Sequence, residues 1–374
     1  MTTSLPAISP TDAAPVRLRA EDPGDLLAVL PYLLGYHPTE SLVMAVVSDR
    51  TIAVGVRVDL IEDPAAIADR FEELARVNRA DGVLLVAYSA DPAAADRLLL
   101  PTITALAEIG VIEALYADGH RWWSRICDQG CCPPEGTEYR IDDNRLAAEA
   151  VFSGLTAGSD RSAIEELVRG PAPALMPVLD EVGERMVDEV CRMDVQCRRR
   201  LIRELVDDYV GRRSAGQAVQ LTDEELVRLA CLVVDLWVRD EAWARITRET
   251  ASFHVELWQQ VVSRSEEALA SAPLCLLGMA AWVAGQGTLQ VCCIERMRRI
   301  DPSYSMTDLL QDINDRAIPP GFWRNVRPGL VAALDELSDE SAGRLDRAER
   351  RPNRAERRPN RAERRRRARR RSRC

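Results

Sequence analysis

The sequence predicts an N-terminal α/β domain, a mixed sheet with flanking helices, followed by an all-α domain with tetratricopeptide-like helical hairpin character. Three observations predict it. Between residues 18 and 142, short apolar runs rich in β-branched residues alternate with amphipathic stretches, the pattern of a layered α/β fold. After Asn144 the apolar spacing is helical throughout. Near the end, Ala280-Ala281-Trp282-x-x-Gly285 leads into a second helical stretch closing at Ile300-Asp301-Pro302, the shape of one helix–turn–helix repeat. No second copy recurs at that period, so a plain helical bundle fits these residues as well. A chain of 374 residues has room for about two to three domains and a sizeable core.

Each element follows from local signals. Residues 1–17 are expected to be disordered. Asp22-Pro23 opens a helix carrying Leu26, Leu27, Val29 and Leu30, with Gly35 as its cap and Pro38 as its stop. Ser41–Val47 and Thr51–Val58, joined by Ser48-Asp49-Arg50, read as a hairpin. An amphipathic helix over Pro64–Val77 places Ile67, Phe71 and Leu74 on one face. Asp81-Gly82 leads into a strand at Val83–Tyr88, Asp91-Pro92 into a helix reaching Ile109, and Val111–Tyr116 is a further strand. Trp122–Ile126 and Thr137–Ile141 are placed as an edge pair. Beyond, Glu181–Val210 reads as one long charged helix, and Thr222-x-x-Glu225 is a capping box opening a helix over Glu224–Val238. The expected divisions are 1–17, 18–142, 143–340 and an Arg-rich tail at 341–374.

Composition narrows the function. All 49 basic residues are arginine, which excludes Schiff-base lysines and the P-loop lysine. Only His37, His120 and His254 supply imidazoles. The motifs G-x-x-x-x-G-K-[ST], H-E-x-x-H, G-x-G-x-x-G and G-x-S-x-G do not occur. The net charge is −10, yet Arg344–Cys374 holds 16 arginines against four acids, a net +12, leaving −22 on the residues before it. Met1–Pro15 has neither a basic nor an apolar leader segment, so the ten cysteines are expected to be reduced thiols and the protein cytoplasmic. The uncharged run Ala268–Ile294 is broken by Pro273, Gly285, Gln286, Gly287, Thr288 and Gln290 into pieces the size of core helices, so no membrane span is expected.

Two clusters carry chemistry. Cys127, Cys131 and Cys132, with His120 seven residues upstream, offer three thiolates and an imidazole for zinc. The adjacent cysteines depart from C-x₂-C spacing, and the alternative is a Pro-Pro-Glu-Gly turn with shielded thiols. Arg121 and Arg125 could also favour a reactive thiolate. In the loop Gly35–Ser41, His37, Glu40 and Ser41 offer a base, an acid and a nucleophile. The structural alternative is a capped, proline-terminated connection whose side chains satisfy backbone groups. His254, among Phe253, Val255 and Trp258, is expected to be a packed helix residue. The tail repeats RAERRPN at 347–353 and 354–360. It lacks an apolar seam and aromatics, so it is expected to be disordered, to attract nucleic acid nonspecifically, or to have no dedicated role.

These residues also carry a resemblance. Glu21-Asp22-Pro23-x-x-Leu26-Leu27 and Pro31-Tyr32-Leu33-Leu34-Gly35-Tyr36-His37-Pro38-x-Glu40-Ser41-Leu42-Val43 open it. Arg121-Trp122-Trp123-Ser124, Cys127-x-x-x-Cys131-Cys132-Pro133-Pro134-Glu135-Gly136, Thr222-Asp223-Glu224-Glu225-Leu226 and Asp301-Pro302-x-Tyr304 continue it. Across residues 18–330 the chain resembles an actinobacterial domain-of-unknown-function family. The resemblance implies architecture and compartment and transfers no catalytic residue. Cys292-Cys293 departs from it, where small or aliphatic residues are expected. The function expected is an interaction or regulatory module whose helical domain holds a protein partner. The alternatives are an enzyme or metal-dependent protein using the His37 loop or the cysteine cluster, and a nucleic-acid-associated protein acting through its tail.

Overall fold

The computed structural model describes residues 3–7, 16–128, 130, 132–152, 155 and 157–349. Its centre is a mixed sheet of eight strands. The strands are β1 (Thr3–Ala7), β2 (Val16–Ala20), β3 (Ser41–Ser48), β4 (Thr51–Asp59), β5 (Gly82–Tyr88), β6 (Val111–Ala117), β7 (Arg121–Ser124) and β8 (Thr137–Glu138). Their order is β2-β1-β4-β3-β5-β6-β7-β8. The β3–β4 hairpin runs from Ser41 opposite Asp59 to Ser48 opposite Thr51, with a bulge at Val46/Val47. β5 lies antiparallel to β3 and parallel to β6. The edge pair of the sequence reading is β7 with β8, in register at Arg121–Glu138 and Trp122–Thr137.

Alternation along the central strands decides which helices cover each face. Val43, Ala45, Val47, Leu84, Val86 and Leu115 point to one side. There they meet α1 (Pro23–Leu34) through Leu27 and Leu30, and α4 (Arg145–Phe152) through Leu146 and Ala150. Leu42, Met44, Val46, Leu85 and Ala114 point to the other. They pack on Phe71 and Leu74 of α2 (Pro64–Val77) and on Leu98 and Leu99 of α3 (Pro92–Ala105). Every residue of β5 is buried, which explains why it reads as an unbroken apolar run. Three Asp-Pro pairs start the covering helices. The carboxylates of Asp22, Asp63 and Asp91 accept from the amides of Asp25, Ala66 and Ala93 at 2.8, 2.9 and 2.9 Å. The proline that follows each has no amide to leave unsatisfied.

The helical region holds α5 (Arg161–Leu167), α6 (Met176–Arg192), α7 (Val195–Ser214), α8 (Asp223–Leu232), α9 (Leu236–Ala244), α10 (Ala251–Val262), α11 (Glu267–Ala284), α12 (Gly287–Ile300), α13 (Ser305–Asp315) and α14 (Trp323–Glu349). Helix α11 is long and apolar enough to cross a membrane, and it is mostly buried within the protein. It pairs with α12 through a turn at Gly285, where the amide of Gln286 donates to Ala281 O at 2.7 Å.

Several expectations need correction. The single helix expected over Glu181–Val210 is two, α6 and α7, because Asp194 takes extended backbone and caps α7 through Cys197 N at 2.7 Å. The helix expected over Glu224–Val238 divides likewise at Asp235, whose carboxylate accepts from Trp237 N at 3.0 Å. The helix after Asp91 ends at Ala105 rather than Ile109. Residues 1–17, expected to lack order, include β1, whose backbone groups pair with β2 from Thr3–Ala20 to Ala7–Val16. Helix α14 runs past the expected boundary at 340/341, since no proline occurs between Pro328 and Pro352. Residues 350–374, the rest of the Arg-rich tail, lie outside the described residues. By contacts the chain divides into Met1–Val326 and Arg327–Cys374.

Candidate functional site

The loop from Gly35 to Ser41 is where the sheet layer and the helical region meet. Gly35 closes α1 with φ +83°, a conformation only glycine adopts without strain. The amide of Gly158 donates to Gly35 O at 2.8 Å, and the amide of His37 donates to Gly158 O at 3.1 Å. From α12, the Thr288 hydroxyl donates to Leu34 O at 2.8 Å. Three backbone groups before the first central strand are thus tied to segments more than a hundred residues away.

Glu40 turns the chain into β3 at φ +42°. Its carboxylate accepts from the Ser89 hydroxyl at 2.9 Å and the Ala90 amide at 3.2 Å, and its carbonyl accepts from Leu60 N at 3.1 Å. The Ser89 hydroxyl also accepts from Asp91 N at 3.0 Å. Glu40 therefore fixes the connection from β5 into α3. Ser41 is fully buried, opposite Tyr88 in the β3–β5 ladder, and its side chain faces the α1 and α4 side. Among the described residues its hydroxyl makes no hydrogen bond. Burial raises the Tyr88 phenol well above its ordinary pKa. Among the described residues, no hydrogen bond joins the side chains of His37, Glu40 and Ser41, and the expected nucleophile has no access to solvent.

Behind this loop lies a polar cluster that sequence reasoning missed. Arg161, at the start of α5, bonds Glu295 Oε1 at 2.5 Å and Glu165 Oε1 at 3.4 Å. It also bonds the thiol of Cys292, one turn before Glu295 on α12. Ligand atoms of Glu165, Cys292 and Glu295 lie within 4.8 Å of one another, a separation that suits a cation. The Arg161 guanidinium already supplies that cation. Burial works against its charge, but Glu295 and Cys292 hold its pKa above the ordinary value. Burial pushes the Cys292 thiol up, and Arg161 opposes the shift. The buried phenol of Tyr36 borders the cluster and is likewise raised by burial, against Arg57 and Arg161. The carboxylates and thiol thus satisfy a half-buried arginine. The one sequence signal was Cys292-Cys293 itself, which departs from the family pattern.

Of the second expected cluster, His120, Cys127 and Cys132 lie among the described residues. His120 is exposed in the β6–β7 turn, where Asp118 Oδ1 accepts from its amide at 2.8 Å. Cys127 and Cys132 are half-buried. Cys131 lies outside the described residues. Among the described residues, the metal-type grouping found does not include His120, Cys127 or Cys132. The arginines that could favour a thiolate are engaged elsewhere. Arg121 pairs with Glu138 at 2.5 Å, and Arg125 with Asp96 at 2.8 Å while lying over the Tyr116 ring. The Pro133–Gly136 turn is closed by Gly136 N donating to Pro133 O at 2.9 Å. It rests on Trp123, whose indole donates to Pro134 O at 3.1 Å. His254 is buried on α10.

No curated protein and no solved structure matches the chain. Residues 23–321, which span the sheet from β3 onward and the helices α1 to α13, match a protein family. The chain accordingly belongs to the family described as Domain of unknown function (DUF4192).

Proposed function

We propose that this protein is a cytosolic interaction module whose helical region holds a protein partner. The observation that carries the reading is the turn from α8 into α9. Val234, Leu236 and Trp237 are 53%, 56% and 51% exposed there, three large apolar side chains within four positions. Asp235 caps α9 between them and pins the turn, so these side chains are presented on fixed backbone. Exposed aromatic anchors on rigid elements are the usual energetic centres of protein interfaces. The α11–α12 hairpin with its buried Trp282 supports a tetratricopeptide-like character for the region. The thiols of Cys191, Cys197, Cys231, Cys275 and Cys293 fit a reducing compartment.

The test compares native protein with Leu236→Arg and Trp237→Arg by quantitative affinity purification and light scattering. The reading expects a stoichiometric partner, or a second copy of the chain, lost from both variants at unchanged melting temperature. Identical partners and identical mass for all three proteins would overturn it.

A further inference from the structure

We infer that the cleft between the α2–β5 connection and the segment after α13 binds a small amphipathic anion, a carboxylate or phosphate head on a short apolar body. The cleft measures about 350 Å³ and is floored by Ala53, Val77, Ile318 and Pro319, within the range of small-molecule sites. Arg79 and Arg316 line it from two different connections.

The residues before the tail carry a net −22, and arginines elsewhere on the surface are widely paired with that excess of carboxylates. Among the described residues, Arg79 and Arg316 have no ion pair and no side-chain hydrogen bond, and both are exposed. Two guanidiniums on one apolar cleft make a fork for an oxyanion, with hydrocarbon contact left for the rest of the ligand.

The cleft is built before any ligand arrives. Arg79 and Ala317 hold left-handed backbone, φ +51° and +45°, at facing connections. Non-glycine residues keep that conformation only where neighbours impose it. Here Arg79 N donates to Arg76 O at 3.1 Å and Ala80 N to Ala75 O at 2.9 Å. Across the cleft, Ile318 N donates to Ile313 O at 3.0 Å, and Ile318 O accepts from the Trp282 indole at 2.8 Å. An ion pair at 3.3 Å between Arg70 of α2 and Asp315 of α13 ties the two walls together. A preformed cleft loses little ordering entropy on binding.

A competing account is that each arginine only offsets the negative end of a helix, since Arg79 follows the C-terminus of α2 and Arg316 caps α13. Calorimetric titration of the full chain with hexanoate, hexyl phosphate, hexanol and inorganic phosphate separates the two. The proposal expects hexanoate or hexyl phosphate to bind with one site per chain and to shift the Trp282 indole resonance, and the stronger of the two identifies the head group. Hexanol and inorganic phosphate should bind at least about tenfold more weakly, each lacking one half of the recognition. Arg79→Asn, which tolerates the left-handed backbone, and Arg316→Gln should each weaken binding about tenfold while circular dichroism stays native. No binding of either hexyl anion at millimolar concentration overturns the proposal. So does binding that survives in the double variant, or variants that change only the melting temperature.

Discussion

Arg199 of α7 and Glu241 of α9 form a buried ion pair, 2.9 Å from Nε to Oε1, with only 2% and 3% of the two residues exposed. Arg203 at 3.8 Å and Arg245 at 3.6 Å reach the second oxygen of the same carboxylate. One anion therefore serves three cations. Removing one partner of a buried pair leaves the other charge unsolvated, and that penalty exceeds the net worth of the pair. Glu241→Gln should cost about 3–5 kcal/mol in urea unfolding. Replacing Arg199 and Glu241 together by Met and Leu should cost less than Glu241→Gln alone. A larger loss in the double variant would show that the pair itself, rather than charge compensation, holds α7 on α9.

Trp282 gives the second prediction. It is buried near the end of α11, and its indole donates to Ile318 O at 2.8 Å. Truncation removes both the packed ring and the partner of a carbonyl. Trp282→Ala should cost about 3–5 kcal/mol, in line with other buried aromatic truncations. Trp282→Phe should fall between, retaining most of the packing but not the hydrogen bond. Near-native stability of the alanine variant would show that the hairpin does not depend on this side chain.

How much was legible follows from the range of each interaction. The Asp22-Pro23, Pro64 and Asp91-Pro92 starts were read correctly because caps are settled within four residues. The apolar runs of β3 and β5 announced buried strands for the same local reason. Asp194 and Asp235 are hard to read as caps because neither has a neighbouring glycine or proline to mark the break, and Asp235 interrupts an apolar run that fits one continuous helix. The His37–Ser41 loop was legible as a loop, but the job of Glu40 depends on Ser89 and Ala90, some fifty positions on. The Arg161–Glu295 contact joins residues 134 apart, and no periodicity in either helix foretells it.

Alkaline pH should weaken the fold through its buried thiols. Burial pushes Cys231 up to about 11 and Cys275 up to about 12, from an ordinary 9.0, with Arg239 partly offsetting the shift at Cys275. Above pH 9 the unfolded chain releases these protons while the folded chain keeps them. The stability they contribute is complete below pH 9 and is lost as pH rises toward 11 and 12. Each thiol adds a slope approaching about 1.4 kcal/mol per pH unit in that window. Urea titrations from pH 8 to 11 should show Cys275→Ala declining less steeply than native protein. Parallel curves would mean that Cys275 is solvated before unfolding.

The cysteine segment yields the last prediction. Gly136 has φ +78°, and a Cβ placed there would lie 2.5 Å from Trp123 Cε2, closer than any real contact. With the Trp123 indole bonded to Pro134 O, the ring acts as the seat on which the Pro133–Gly136 turn is formed. Gly136→Ala must therefore displace the ring and strain the backbone together, at a cost of about 2 kcal/mol or more. If the segment serves as a turn, zinc plays no part in it. Protein prepared without a polyhistidine tag should then carry no stoichiometric metal, and a chelator should leave its unfolding curve unchanged. If instead His120, Cys127, Cys131 and Cys132 bind zinc, the metal contributes directly to folding. One equivalent of zinc, lost in both Cys131→Ser and Cys132→Ser together with stability, would sink the turn reading. A change in the His120 imidazole resonances on chelation would then mark it as the fourth ligand.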